Sequence, residues 1–360
     1  MSRPPSEAAR AAAAAGEAHV PPRRAGRPRA ARASLRLLGW LAPLLLLAVI
    51  VWSVADTFRA AKPAPRAAAD AAAPGFPRSV PLADGTTLEL AAPPRRIVPA
   101  SSGLADLVCA LAVPERIAAL PAQVRDYSGL RDPGNPYLAR PQFESYAAEP
   151  LLAFRPDLVI TDRWSSVETT ARLQEAGVVV LVMDGPEKLA DVRTSLALLA
   201  RVLGAEDAGR TALEGLQERV KALAASSPRR AGRTAVAYSN GGTGGWIAGA
   251  GTANDEWITL AGLHDAAAAA GRKGHERCSY EELLALDPDV IVVPGLLAGG
   301  KVGGTARLLA SEPALQSLRA LRTGSVVVLE SWLYDTVSQH IVTAAERLAA
   351  AVDALPAPAR

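Results

Sequence analysis

Aromatic residues are scarce in this chain: six Trp, six Tyr and four Phe make up 4% of 360 residues. Alanine inflates the 49% hydrophobic content, so the few large rings carry more information than usual. Cysteine is scarcer. Cys109 and Cys278 are the only two, and they fall in different halves of the chain, where a disulfide would lock the halves together. Two separately buried thiols are the expectation. Catalytic signatures are missing: there is no Gly-x-Ser-x-Gly elbow, no His-Glu-x-x-His and no Walker lysine, so nothing singles out an enzyme. Of four histidines, His19 lies near the N-terminus and His264, His275 and His340 all lie beyond residue 226.

The N-terminus is compositionally distinct. Residues 1–36 hold eight Arg, two Glu and no Lys, a basic low-complexity tail. Taking these from totals of 39 basic and 36 acidic residues leaves 31 basic against 34 acidic over residues 37–360. The basic balance therefore belongs to the tail and speaks for membrane topology, not nucleic-acid binding. Leu37–Ala55 runs nineteen residues without a charge, long enough for a transmembrane helix. The arginines before it place the tail in the cytoplasm. Trp40 and Trp52 sit near its two ends. Ser53-Val54-Ala55 also fits a small-x-small cleavage site, so removal as a signal segment is the alternative; a buried core helix is the third reading. No lipobox cysteine is present. Residues 56–76 read as an Ala/Pro linker.

One phrase occurs twice. Residues 149–160 read EPLLAFRPDLVI and residues 281–292 read EELLALDPDVIV. Each is a short helix begun at Glu, stopped by Pro-Asp, and continued as an apolar strand of the kind buried in a parallel sheet. Two copies imply two similar α/β lobes with a cleft between them. Ser79–Leu90, turning at Asp84-Gly85, reads as an opening hairpin. Residues 77–185 then form the N-terminal lobe, with a strand from Arg95, a helix over Leu104–Leu111 capped by Ser101 or Ser102, a Pro/Gly-rich loop over 121–146, a helix near Ser166–Ala176 and the strand Val178–Met183. Residues 186–226 are a helical connection, Glu187–Leu203 and Glu206–Ala225. Residues 227–355 form the C-terminal lobe, with strands Thr234–Tyr238 and Ser325–Leu329, a helix near Asn254–Ala261 and a final helix over Ile341–Leu355.

The order of parts resembles the periplasmic solute-binding proteins of ABC importers for ferric siderophores, haem and cobalamin. The matching segments are Pro94–Val98, Leu151–Val159, Leu284–Ile291 and Gly249–Asp255 with Leu260–Gly262; the last looks most like the haem binders. The resemblance implies an α/β fold of two Rossmann-like lobes joined by a single long α-helix, here preceded by the N-terminal transmembrane helix. It implies an extracytoplasmic domain that holds an iron chelate, haem or cobalamin in the cleft and passes it to a permease and its ATPase, with no resident cofactor. It also implies one surface glutamate per lobe meeting the transporter, by position Glu149 and Glu281. A membrane-anchored ligand sensor on the same fold is the alternative, motivated by the long tail and uncleaved-looking helix.

Each candidate residue has a plainer reading beside the functional one. Glu149 and Glu281 also suit the first turn of a helix, whose dipole favours negative charge, and Ser279 with Glu282 makes a capping box. Residues 238–246, YSNGGTGGW, lack the lysine of a phosphate loop; the glycine-rich turn brings Tyr238 and Trp246 to a ligand or forms a surface hairpin. Trp164, Trp332 and Tyr334 follow strands, at the carboxyl ends where open sheets bind ligands, and Tyr127 lies in the loop facing the cleft. Arg163 beside Trp164 offers a charged contact. The alternative for all of them is packing between lobes. A bare Zn²⁺ or Mn²⁺ site would need His, Asp or Glu from both lobes, and the first lobe has no His, which argues against free-metal import. His340 is read as a satisfied histidine, with an axial-ligand role as the alternative.

Overall fold

A computed structural model describes residues 75–163, 165–242, 244–295 and 303–355. The basic tail, the apolar run Leu37–Ala55, nearly all of the linker and Trp164 lie outside the described residues. Among the described residues no helix is long and apolar enough to cross a membrane.

Strand β1 (Arg78–Pro81) pairs antiparallel with β2 (Thr87–Leu90). Their turn is closed by Asp84, whose Oδ1 accepts from the Thr86 N–H at 2.9 Å and hydroxyl at 2.6 Å. Next come β3 (Ile97–Pro99), α1 (Ser102–Cys109), the short parallel pair β4 (Leu120–Pro121) and β5 (Gln142–Phe143), α2 (Ala148–Ala153), β6 (Leu158–Asp162), α3 (Val167–Glu175) and β7 (Val179–Met183). β3, β6 and β7 form a parallel sheet in that order, with Ile97 opposite Leu158 and Leu158 opposite Val179. Alternate residues of a strand face opposite sides. Ile97, Leu158, Ile160 and Leu181 accordingly pack with Leu104 and Leu107 of α1, while Val98, Val159 and Val180 pack with Leu151 of α2 and Leu173 of α3.

Two helices lead out of this lobe. α4 (Leu189–Leu203) lies against α1, the chain reverses at Gly204 with φ 61°, and α5 (Glu206–Ser226) packs on α4. At 21 residues α5 is about 31 Å long. The second lobe follows as β8 (Thr234–Asn240), β9 (Gly245–Ala248), α6 (Ala253–Leu260), β10 (His264–Asp265), β11 (His275–Cys278), α7 (Tyr280–Leu286), β12 (Val290–Pro294), α8 (Gly304–Ser311), β13 (Val326–Leu329) and α9 (Ile341–Asp353). Its sheet runs β11-β9-β8-β12-β13, with β8, β12 and β13 parallel and β9 and β11 antiparallel to their neighbours; β10 adds to the start of β8. One apolar core extends from Leu104 and Leu107 through Leu199 and Leu216 to Trp257 and Leu348, so the lobes are continuous along the helices α1, α4, α5, α6 and α9.

The repeated phrase folds the same way in both lobes. α2 and α7 are each followed, just before a proline, by a residue with positive φ, Arg155 at 49° and Asp287 at 34°. The following aspartate then anchors the first strand of its own lobe. Asp157 accepts from the Arg95 and Arg96 N–H groups at 2.8 and 3.0 Å. Asp289 Oδ2 accepts from the Thr234 N–H at 2.9 Å and hydroxyl at 3.0 Å.

Candidate functional site

Parallel strands present their carboxyl ends to one edge of a sheet, and loops leaving that edge build sites. In the first lobe these ends deliver Ser101 after β3, Asp162 and Arg163 at the end of β6, and Asp184 after β7. A cavity of about 910 Å³ opens there, lined also by Asp191 of α4 and by Val337 of the second lobe. Ser101 caps α1, accepting from the Leu104 N–H at 3.4 Å. Arg163 Nε donates to Asp184 Oδ1 at 2.5 Å, tying the ends of β6 and β7 together. The guanidinium charge is thus compensated, while Asp84, Asp162, Glu187 and Asp191 add carboxylates to the lining.

The aromatic candidates are distributed unevenly. Trp246 on β9 is 39% exposed, with the Arg277 guanidinium 5.1 Å from its ring centre. Tyr127 is 40% exposed, at the end of a helical turn (Val124–Tyr127) that packs against the turn Ser331–Tyr334 from the other lobe. Tyr238 is fully buried in the second-lobe core; its hydroxyl accepts from Asn240 Nδ2 at 3.1 Å, and burial raises its pKa. Tyr334 is buried 6.0 Å from the Trp257 ring, and burial holds its phenol protonated. Neither tyrosine presents an open face in this conformation. Trp332 is also covered, with Arg131 of the first lobe 4.0 Å over its ring, its indole N–H donated to Glu330, and His340 edge-on at 5.1 Å. Glu149 and Glu281 are exposed at the first turns of α2 and α7, Glu149 within 3.4 Å of Arg172. Cys109 and Cys278 are separate buried thiols. Among the described residues no group of His, Cys, Asp and Glu is arranged to hold a metal ion.

A polar cluster between the lobes went unread in the sequence. Asp106 sits on α1 and is only 3% exposed. Its Oδ1 accepts from the Ser128 hydroxyl at 2.5 Å and the Gly129 N–H at 3.0 Å, both in the first lobe. Its Oδ2 accepts from the Ser338 hydroxyl at 3.2 Å, and Gln339 Nε2 donates to its backbone carbonyl at 2.9 Å, both from the second lobe. Burial pushes the Asp106 carboxyl up to about 7, against the pull of these donors and of Arg131. His340 Nε2 lies 3.8 Å from Oδ1, and burial with Arg219 and Arg131 pushes the imidazole down to about 4. Arg131 Nη2 meets Glu330 at 2.8 Å, a second link across the lobes. The one local signal was a single carboxylate inside an otherwise apolar helix.

A family model described as "Periplasmic binding protein" matches residues 97–332. No curated protein matches the chain. Among solved structures, the periplasmic haem-binding protein RhuT from Roseiflexus sp. RS-1 superposes with a TM-score of 0.60 at 22% identity, covering 71% of this chain and 98% of its own. A periplasmic haem-binding protein from Pseudomonas aeruginosa gives 0.60 at 25% identity, covering 72% and 92%. An ABC-type Fe³⁺-hydroxamate transport system protein from Saccharomonospora viridis gives 0.62 at 20% identity, covering 77% and 99%. At these identities the likeness to RhuT and to the hydroxamate system protein is one of fold.

Proposed function

This chain belongs to the periplasmic binding protein family, and on that premise we propose that it captures an iron chelate, haem or cobalamin between its lobes and delivers it to an ABC permease. The family is one of solute binders, not catalysts. The observation that carries the reading is the cavity at the carboxyl ends of the first-lobe strands, reached from the second lobe by Val337. Its volume suits a ligand of several hundred cubic ångströms. Among the described residues, only Arg163 of the sequence candidates lines that cavity; Trp246 and Tyr127 keep exposed aromatic surface outside its lining, and Trp332 lies under Arg131 where the lobes meet. Tyr238 and Tyr334 are buried in the cores and do not line the cavity. The permease and ATPase are the protein partners, docking through Glu149 and Glu281, one exposed on each lobe. We place the domain outside the cytoplasm, held by Leu37–Ala55 as an anchor.

The full chain titrated with haemin, cyanocobalamin and ferric hydroxamates tests this directly, followed by tryptophan fluorescence and the visible spectrum. Saturable binding at micromolar concentrations or below is expected for one class. The carboxylate-rich lining disfavours haem, whose two propionates add negative charge, so an uncharged or cationic hydroxamate, or cyanocobalamin, is expected to saturate before haemin. Saturation by none of them overturns the reading.

A further inference from the structure

The lobes are fastened by more than their shared apolar core. Asp106 is covered from the first lobe by Ser128 and Gly129 and from the second by Ser338, Gln339 and His340. The fit is close on both sides. A Cβ on Gly129 would lie 2.2 Å from His340 Nε2, and one on Gly103 would lie 2.8 Å from Val337 Cγ2. The loop that Asp106 holds at Ser128 continues to Arg131, which covers Trp332 and pairs with Glu330. Anything that loosens Asp106 therefore also loosens the lid over Trp332.

We propose that Asp106 is a positioning residue for ligand capture: its buried carboxyl bolts the α1 end of the first lobe to the Ser338–His340 segment of the second and sets how far the cleft opens. The proposal rests on the cleft being the ligand site. A carboxyl enclosed in this way binds its proton more tightly than one exposed to water. Opening the lobes hydrates Asp106 and returns its pKa toward the ordinary carboxylate value near 4, so opening releases a proton. Acid then favours the fastened arrangement, and the preference is lost as pH rises through the raised pKa. The other ionisable groups facing it are Cys109 on its own helix, Arg131 from the first-lobe loop and His340 from the second lobe, with Arg219 of α5 behind the imidazole. His340 is neutral while the lobes are fastened because it is buried there. Opening hydrates it as well, so below its ordinary pKa of about 6.5 it takes up a proton and opposes Asp106, and the change is read above that pH.

The test is a distance between lobes in the full chain. Cysteines introduced at the exposed positions Gln174 and Ser317 carry spin labels, the native thiols being buried. Between about pH 6.5 and 9 the wild-type distance distribution is expected to move from narrow to broad as the raised Asp106 pKa of about 7 is passed. Asp106→Asn, neutral and of the same shape, should keep the acid-side distribution throughout. Ser338→Ala removes a donor that favours the carboxylate and should move the midpoint to higher pH. A wild-type distribution that ignores pH, an Asp106→Asn variant that titrates like wild type, or an unmoved midpoint in Ser338→Ala overturns the proposal. No ligand enters the measurement, so its failure leaves the solute-binding reading standing.

Discussion

Arg230 shows how a single side chain closes the second lobe. It is 1% exposed, and its guanidinium reaches three elements at once. Nε donates to the Ala261 carbonyl after α6 at 2.5 Å, Nη1 pairs with Asp353 of α9 at 2.7 Å, and Nη2 donates to the Ser226 hydroxyl at the end of α5 at 2.8 Å. No shorter or less planar cation spans that fork. Removing one partner of a buried ion pair leaves the other uncompensated, at about 3–5 kcal/mol. Asp353 keeps 33% of its side chain in water, so Arg230→Leu should lose about 3 kcal/mol, near the low end of that range. Urea unfolding would show it as a lower midpoint with an unchanged slope, and Arg230→Lys should not restore it. Glu282 is a comparable fixture. It closes the capping box with Ser279 and pairs with Arg272 at 2.5 Å, and the Ser279 N–H with the Arg272 guanidinium holds its carboxyl down at about 2.

At the scale of elements, the repeated phrase is explained by what its aspartates do. Asp157 and Asp289 each satisfy backbone N–H groups at the start of their lobe's first strand, β3 or β8, which no neighbouring strand supplies there. The proline before each stops the helix, and the positive φ before that proline turns the chain toward the sheet. Asp157→Ala and Asp289→Ala should each lose about 1–3 kcal/mol, measured by urea unfolding, while Asp126→Ala at an exposed position of the Val124–Tyr127 turn should cost little. This part of the fold was legible because apolar runs, prolines and caps sit close together in sequence. Ser101 and Ser279 cap the helices expected of them, and the helix expected near Ser166–Ala176 starts after Ser166, which serves as its cap. β11 escaped notice because His275–Cys278 is an edge strand with polar, partly exposed residues and no apolar alternation. β9 was obscured by glycine, which carries no side-chain pattern. The site was less legible than the fold: the sequence places Trp332 after β13, but not the Arg131 that covers it from 201 positions earlier. Asp106 and Ser338 meet across 232 positions, a distance over which local patterning has no hold.

At the scale of the molecule, two lobes built on one phrase present two matching helix starts to solvent. Glu149 and Glu281 occupy them, one per lobe. Glu281 differs from its neighbour Glu282 in a way that separates docking from stability. Glu282 is committed to Ser279 and Arg272, whereas among the described residues Glu281 has no ion-pair partner. Glu149 meets only the exposed Arg172, at 3.4 Å, a contact of little energetic weight. Nothing in the packing therefore requires either charge. A transporter surface bearing arginines would be recognised by both at once, and two such contacts on a rigid body gain from being made together. Reversing both, Glu149→Lys with Glu281→Lys, should leave ligand affinity as in wild type, lower the unfolding midpoint slightly through the two helix N-termini, and abolish stimulation of the transporter's ATPase. Either single reversal should leave partial stimulation that falls further as salt rises. Undiminished stimulation by the double variant would remove the glutamates from the docking surface. Lost ligand affinity would show instead that the lobe geometry had changed.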